Sequence, residues 1–166
     1  MTGMTATQLL AVVKDIIQAA EFCFLLTRGK GGEANARLMQ PFPPEEDLTI
    51  WMGASPGSRK VREIECYWRA SLAYARAEVG AYVTLLGTAT VVTDLAQRRQ
   101  YWREPFRPFW PEGPEDKDYA LLRFEPERIE VMHLERDVAP EPFGLRPAVL
   151  VRQGDAWLVD EEDPGL

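Results

Sequence analysis

Histidine is nearly absent from this chain, which has a single one, His133, in 166 residues. That excludes a multi-histidine metal site, and no carboxylate cluster stands in for one, so no metal is expected. No G-x-S-x-G turn accompanies the histidine, so nothing points to a serine hydrolase of the nucleophile-elbow kind. Cysteine is also scarce. Cys23 and Cys66 are isolated, without C-x-x-C spacing, and read as small apolar residues rather than a redox pair. Basic residues are outnumbered, 19 Lys and Arg against 26 Asp and Glu, for a net charge of −7. A nucleic-acid binder needs a broad basic surface, and this composition does not provide one. No apolar run approaches the roughly 18 residues of a membrane span, and no secretory leader is read at the start. The cytoplasm is therefore the expected location.

What is present is a globular composition. The chain is 46% apolar, with five Trp, seven Phe and five Tyr. Its length suits one domain with a real core. Much of the negative charge sits at the end, in Asp155, Asp160, Glu161, Glu162 and Asp163, a stretch without Lys or Arg.

Thr5-Ala6-Thr7-Gln8 reads as a capping box. Leu9, Leu10, Val13, Ile16, Ile17 and Ala20 follow at helical spacing. Phe22–Thr27, Ala34–Phe42 and Leu48–Met52 read as three strands with short turns, an antiparallel meander. A short helix over 58–68 comes next, then strands at Ala70–Ala75 and Tyr82–Thr93. Gly87 marks a bulge or bend in the latter. Asp94 caps a helix. Ala120–Phe124 and Arg128–Met132 complete six or seven strands, which point to a closed or nearly closed barrel. Residues 105–118 interleave Pro105, Pro108, Pro111 and Pro114 with Phe106, Phe109 and Trp110. This segment is either a stiff loop packed on the body or a wall over a planar ligand. After Pro140, Ala148–Val151 and Trp157–Val159 flank Gln153-Gly154-Asp155, as in an added hairpin.

The stretch Ser55-Pro56-Gly57-Ser58-Arg59-Lys60 is the chemical signal. The positive end of a helix dipole favours acids, yet this helix opens on Arg59, Lys60 and Arg62. A hydroxyl, free N–H groups and converging cations form an anion site of the kind that holds a phosphate. Arg37 is expected opposite Trp51 on the neighbouring strand, as a third cation. A planar group beyond the phosphate would lie near Met39 and Trp51.

Ala36-Arg37-Leu38-Met39, Ile50-Trp51-Met52-Gly53, Ser58-Arg59-Lys60-Val61, Tyr82–Ala89, Phe109-Trp110-Pro111 and Leu121–Phe124 occur in one order. That ordered set, over about residues 5 to 132, resembles the pyridoxamine 5′-phosphate oxidase-related superfamily of FMN-binding split β-barrels, in its general stress protein branch. The resemblance implies a mainly β fold, a six-stranded antiparallel split β-barrel with a few helices. It spans residues 1–140, with a C-terminal extension at 141–166. It also implies a homodimer with FMN at the interface, FAD being the alternative. Arg37, Ser58, Arg59 and Lys60 would hold the phosphate. The backbone at Leu38, Met39, Trp51 and Met52 would follow the flavin, with Tyr82 and Trp110 in contact with it and Trp102 beside Trp110. The Arg-x-His ending of true pyridoxamine phosphate oxidases is missing, so oxidation of vitamin B6 is not implied. The readings left are a flavin-dependent oxidoreductase, a non-catalytic flavin binder or sensor, and a deazaflavin-dependent reductase, pyridoxamine 5′-phosphate oxidase-like enzyme or haem-degrading relative. No residue is assigned as a catalytic acid or base.

Overall fold

The structure, a computed structural model, describes residues 3–138 and 146–161. The expected boundary between residues 140 and 141 lies outside these, as do Glu162 and Asp163. Helix α1 (Ala6–Ala20) begins with the full capping box. Gln8 N–H donates to the Thr5 hydroxyl, and the Gln8 side chain accepts from Thr5 N–H. Its buried stripe is Leu9, Val12, Val13, Ile16 and Ile17. These residues pack against one antiparallel sheet.

The strands are β1 (Cys23–Arg28), β2 (Ala34–Met39), β3 (Ile50–Ala54), β4 (Arg69–Arg76), β5 (Ala81–Val92), β6 (Ala120–His133), β7 (Ala148–Gln153) and β8 (Ala156–Val159). Helix α2 (Arg59–Tyr67) joins β3 to β4, and α3 (Leu95–Gln100) follows β5. Their order in the sheet is β2-β1-β4-β5-β6-β7-β8, with β3 also paired to β6. The sheet is not closed: β2 and β8 end its path. Among the described residues there are eight strands rather than six, because β7 and β8 extend the six that precede them.

Three expectations are corrected. The first three strands are not a meander. Among the described residues β2 pairs with β1 alone, and β3 crosses to β6. The turn at 43–47 does fold the chain back, with Phe42 N–H donating to Trp51 O at 2.9 Å. Pairing stops there, however, and Arg37 lies opposite Leu25 rather than Trp51. Finally, Ala120–Phe124 and Arg128–Met132 are parts of one 14-residue strand. Pro126 lies inside it, where it has no N–H to donate, and it faces Gly87 across a register shift between Leu86 and Gly87. The proline and the expected bend are one feature. Its two halves take different neighbours, β3 before Pro126 and β7 after it.

A second, aromatic core sits on the far face of β3. Phe42, Trp51, Trp110, Tyr119 and Leu121 are buried there, with Tyr101, Trp102 and Phe106 against them. Gly53 allows this packing: a Cβ there would lie 3.1 Å from the Tyr119 ring and 3.4 Å from that of Phe106.

Candidate functional site

Helix α2 docks on the β1–β2 hairpin, and the cations converge at that junction. Alternation along β1 buries Cys23, Leu25 and Thr27. On β2, Asn35, Arg37 and Met39 share one face, while Ala34, Ala36 and Leu38 are exposed on the other. Arg37 reaches toward α2. Its Nη1 donates to Thr27 Oγ1 at 2.5 Å, Asn35 O at 2.8 Å and Leu25 O at 3.2 Å. Its Nη2 lies 3.3 Å from Glu63 Oε2.

Glu63, which sequence reasoning did not single out, is the centre of the cluster. Its carboxylate accepts from Thr27 Oγ1 at 2.5 Å, Asn35 Nδ2 at 2.7 Å and Arg37 Nη2. Arg59 Nε is a further 3.6 Å ion-pair partner, one helical turn earlier. The Glu63 side chain is only 11% exposed. Burial alone would raise its carboxyl pKa, but the hydrogen bonds from Thr27, Asn35 and Arg37 outweigh burial and hold it below the usual value. The lysine at position 60 is shifted down by partial burial and then by the Arg37 charge, which places the two cations within each other's field. The i,i+4 spacing of Arg59 and Glu63 was the sequence signal for this residue.

A pH dependence follows. The carboxyl of Glu63 is held below 4.5, so its contribution to stability is complete above that value and is lost as pH falls through the lower, folded one. The stability advantage of the wild type over Glu63→Gln should therefore hold steady near neutral pH and shrink as pH falls below the usual carboxylate range. Urea unfolding across that range checks it, and a pH-independent gap would contradict the assignment.

At the start of α2, Ser58 occupies the N-cap with extended backbone, but its side chain makes no capping bond. The Ser58 hydroxyl is buried and has no hydrogen-bond partner among the described residues. No acid lies in the first turn. An orphaned hydroxyl, a helix start and the Arg59 and Lys60 side chains are the donors that a phosphate monoester requires. Arg37, Ser58, Arg59 and Lys60 are thus brought together, and they fit a phosphorylated group.

The remaining site expectations separate. Leu38 is exposed on the outer face of β2, while Met39 packs against the core. Met52 is fully buried and Trp51 nearly so, with the Trp51 ring stacked on Tyr101 at 4.6 Å and its indole N–H donated to Glu45. β3 therefore offers a ligand backbone, not these side chains. Tyr82 is half-buried on β5, three strands away from β2, a span of about 14 Å. Trp110 is buried in the aromatic core, with its indole N–H donated to Asp118 O at 2.6 Å and directed at Ser55 Oγ at 3.3 Å. Trp102 is edge-on to Tyr119 and Phe106. The proline-rich segment is thus a packed loop, with only Phe109 strongly exposed among its aromatic residues. His133 is buried at the end of β6, where its backbone bridges to Val138.

A cavity of about 550 Å³ lies past the end of β2, between α1 and the 40–46 loop. It is lined by Ile17, Phe42 and Tyr74, with Lys14, Gln40 and Arg103 among its polar groups. No described helix is long and apolar enough to cross a membrane.

A family model described as pyridoxamine 5′-phosphate oxidase like matches residues 8–137. No curated protein matches by sequence. Among solved structures, the chain is similar to a protein from Clostridium acetobutylicum related to general stress protein 26 of Bacillus subtilis. That protein is 17% identical, with 90% of this chain and 98% of the other covered and a TM-score of 0.75. PhzG from Burkholderia lata 383, solved with tetrahydrophenazine-1-carboxylic acid, is 17% identical over 93% of this chain and 88% of its own, with a TM-score of 0.68. An FMN-binding, pyridoxamine 5′-phosphate oxidase-related protein from Nostoc punctiforme PCC 73102 is 15% identical over 99% and 100%, with a TM-score of 0.65. At these identities the likeness is one of fold.

Proposed function

Because the chain belongs to the pyridoxamine 5′-phosphate oxidase-like family, we propose that it is a homodimeric, cytoplasmic FMN protein and a flavin-dependent oxidoreductase. The observation that carries this reading is the orphaned Ser58 hydroxyl at a helix start flanked by Arg59 and Lys60. These groups hold the phosphate, with Arg37 behind them. The backbone of β2 at Leu38 and Met39 and of β3 at Trp51 and Met52 orients the ring system. A bound flavin supplies hydride or electron transfer. The protein supplies binding, orientation and exclusion of water.

The dimer is supported by the outer face of the sheet. Phe24 and Leu38 are cross-strand partners, 51% and 59% exposed. Leu26, Ala73 and Leu86 extend that apolar face across β1, β4 and β5. A second copy covering it would bring its own residues to the flavin, which is the route by which Tyr82 can contribute. Sedimentation at low micromolar concentration tests this, and a monomer there would remove the interface site.

The phosphate assignment is tested by comparing FMN with riboflavin. Arg59→Ala combined with Lys60→Ala removes two charge-assisted contacts. FMN affinity should fall by about 100-fold or more, and riboflavin affinity by no more than about threefold. Equal losses for both ligands would place the phosphate elsewhere. A non-catalytic flavin binder is favoured by one observation: the indole and phenol groups beside β3 are already hydrogen-bonded within the protein. If the bound flavin is not reduced by NADH or NADPH at useful rates, that second reading replaces the first.

A further inference from the structure

The cluster at α2 contains an anion of its own. Two cations, Arg37 and Arg59, pair with a carboxylate that is nearly enclosed and receives three hydrogen bonds, and the partly buried Lys60 lies within the field of Arg37. The two arginines are held very differently. The guanidinium of Arg37 is 18% exposed and fixed by Thr27 Oγ1, two backbone carbonyls and Glu63. Arg59 is 63% exposed and reaches Glu63 only at 3.6 Å, through one nitrogen. One arginine is a built-in part of the hairpin, and the other is free to turn.

We propose that Glu63 is the resident counter-anion of the phosphate site, a positioning residue that keeps Arg37 permanently paired and holds Arg59 exchangeably until a phosphate monoester takes Arg59 over. This rests on the phosphate reading above. Without an anion, the cations that meet where α2 docks on β2 repel one another. With Glu63 in place, the apo protein keeps its cations assembled around the helix start. The same carboxylate then opposes an incoming phosphate, so it weakens phosphate binding while stabilising the empty site. Arg59 and Lys60, rather than Arg37, become the groups that distinguish a phosphorylated flavin from its dephosphorylated form.

The test uses the full-length protein, stripped of ligand, with FMN, riboflavin and inorganic phosphate as probes. Glu63→Gln keeps the shape, and a flip of the Asn35 amide restores its hydrogen bond. The apo variant should melt below the wild type, and millimolar inorganic phosphate should recover most of the loss. Its preference for FMN over riboflavin should rise by about fivefold, the effect of removing one negative charge near the phosphate. Glu63→Asp keeps the charge while shortening the side chain, so its preference should stay within about twofold of the wild type. A merely structural Glu63 gives a different pattern: both variants lose stability and neither changes the preference. That pattern, or a lower preference in Glu63→Gln, overturns the proposal. If Glu63→Gln does not fold, Arg59→Gln decides. It should leave the apo melting temperature nearly unchanged and reduce the preference by about tenfold or more, and an unchanged preference refutes the exchange. If the wild type itself does not prefer FMN over riboflavin, the phosphate reading fails and this proposal falls with it. If the wild type prefers FMN and only Glu63→Gln fails to shift that preference, the phosphate reading stands and this proposal alone is lost.

Discussion

Replacing Gly87 with alanine should destabilise the protein by about 3 kcal/mol or more, or prevent folding. A Cβ at this position would overlap the Glu125 carbonyl oxygen and lie 2.8 Å from Pro126 Cα. Both are backbone atoms on the paired strand, so no side-chain rotation relieves the clash. β5 and β6 are the two longest strands, and Gly87 and Pro126 face one another where their register shifts. Opening the contact would flatten the bend that lets β6 pair with β3 at one end and β7 at the other. Gly57→Ala is the control. Its Cβ would meet nothing within 4 Å, so it should stay within about 0.5 kcal/mol of the wild type. Urea unfolding of the two variants gives the comparison, and similar midpoints would show that the bend tolerates a side chain.

That bend also shows what a sequence reveals about this fold. Gly87 was legible because a glycine inside a Thr- and Val-rich strand has no other common use. Pro126 misled, because Glu-Pro-Glu between two apolar runs reads as a turn until its partner across the sheet is known. The same limit governed β3. Pro43-Pro44-Glu45-Glu46-Asp47 signals a reversal, and a reversal occurs, but local turn chemistry does not say which strand lies beside β3 afterwards. Its partner, β6, is about 70 residues away and is selected by two buried faces. Ile50, Met52 and Ala54 enter one core, and Trp51 enters the other.

The site divides along similar lines. The cationic start of α2 at Ser58, Arg59 and Lys60 stood out as a candidate because a helix that opens on cations is electrostatically unfavourable unless an anion compensates. The identity of the internal anion did not. Glu63 looks like an ordinary solvated acid of a surface helix, and only docking on the β1–β2 hairpin surrounds it with Thr27, Asn35 and Arg37. Arg37 does meet Arg59 at Glu63, but not through the strand pairing expected of it. It arrives through β1, whose Leu25 lies opposite, and its guanidinium is held by Thr27 rather than carried on a strand beside Trp51.

Trp110 offers the second large effect, and it separates a structural role from a ligand contact. Trp110→Ala should cost about 3–5 kcal/mol, the usual penalty for emptying a buried aromatic site. The indole is 8% exposed and packs against Phe106 and Tyr119, with ring centroids 5.7 and 4.7 Å away. Its N–H also meets the Asp118 carbonyl, which truncation leaves without that donor. Trp110→Phe retains much of the volume and loses the N–H, so it should cost only about 1–2 kcal/mol. The conservative variant carries the functional question, because it stays folded. With the ring committed to Phe106, Tyr119 and Ser55, FMN and riboflavin affinities in Trp110→Phe should remain within about twofold of the wild type. A tenfold loss for both flavins, at a stability cost no larger than this, would instead place the indole against the ring system. The ring system is common to both ligands and the phosphate belongs to FMN alone: a contact to the ring weakens FMN and riboflavin alike, whereas a fault at Arg59 or Lys60 weakens FMN alone. The pair of ligands therefore reads the two ends of the site independently.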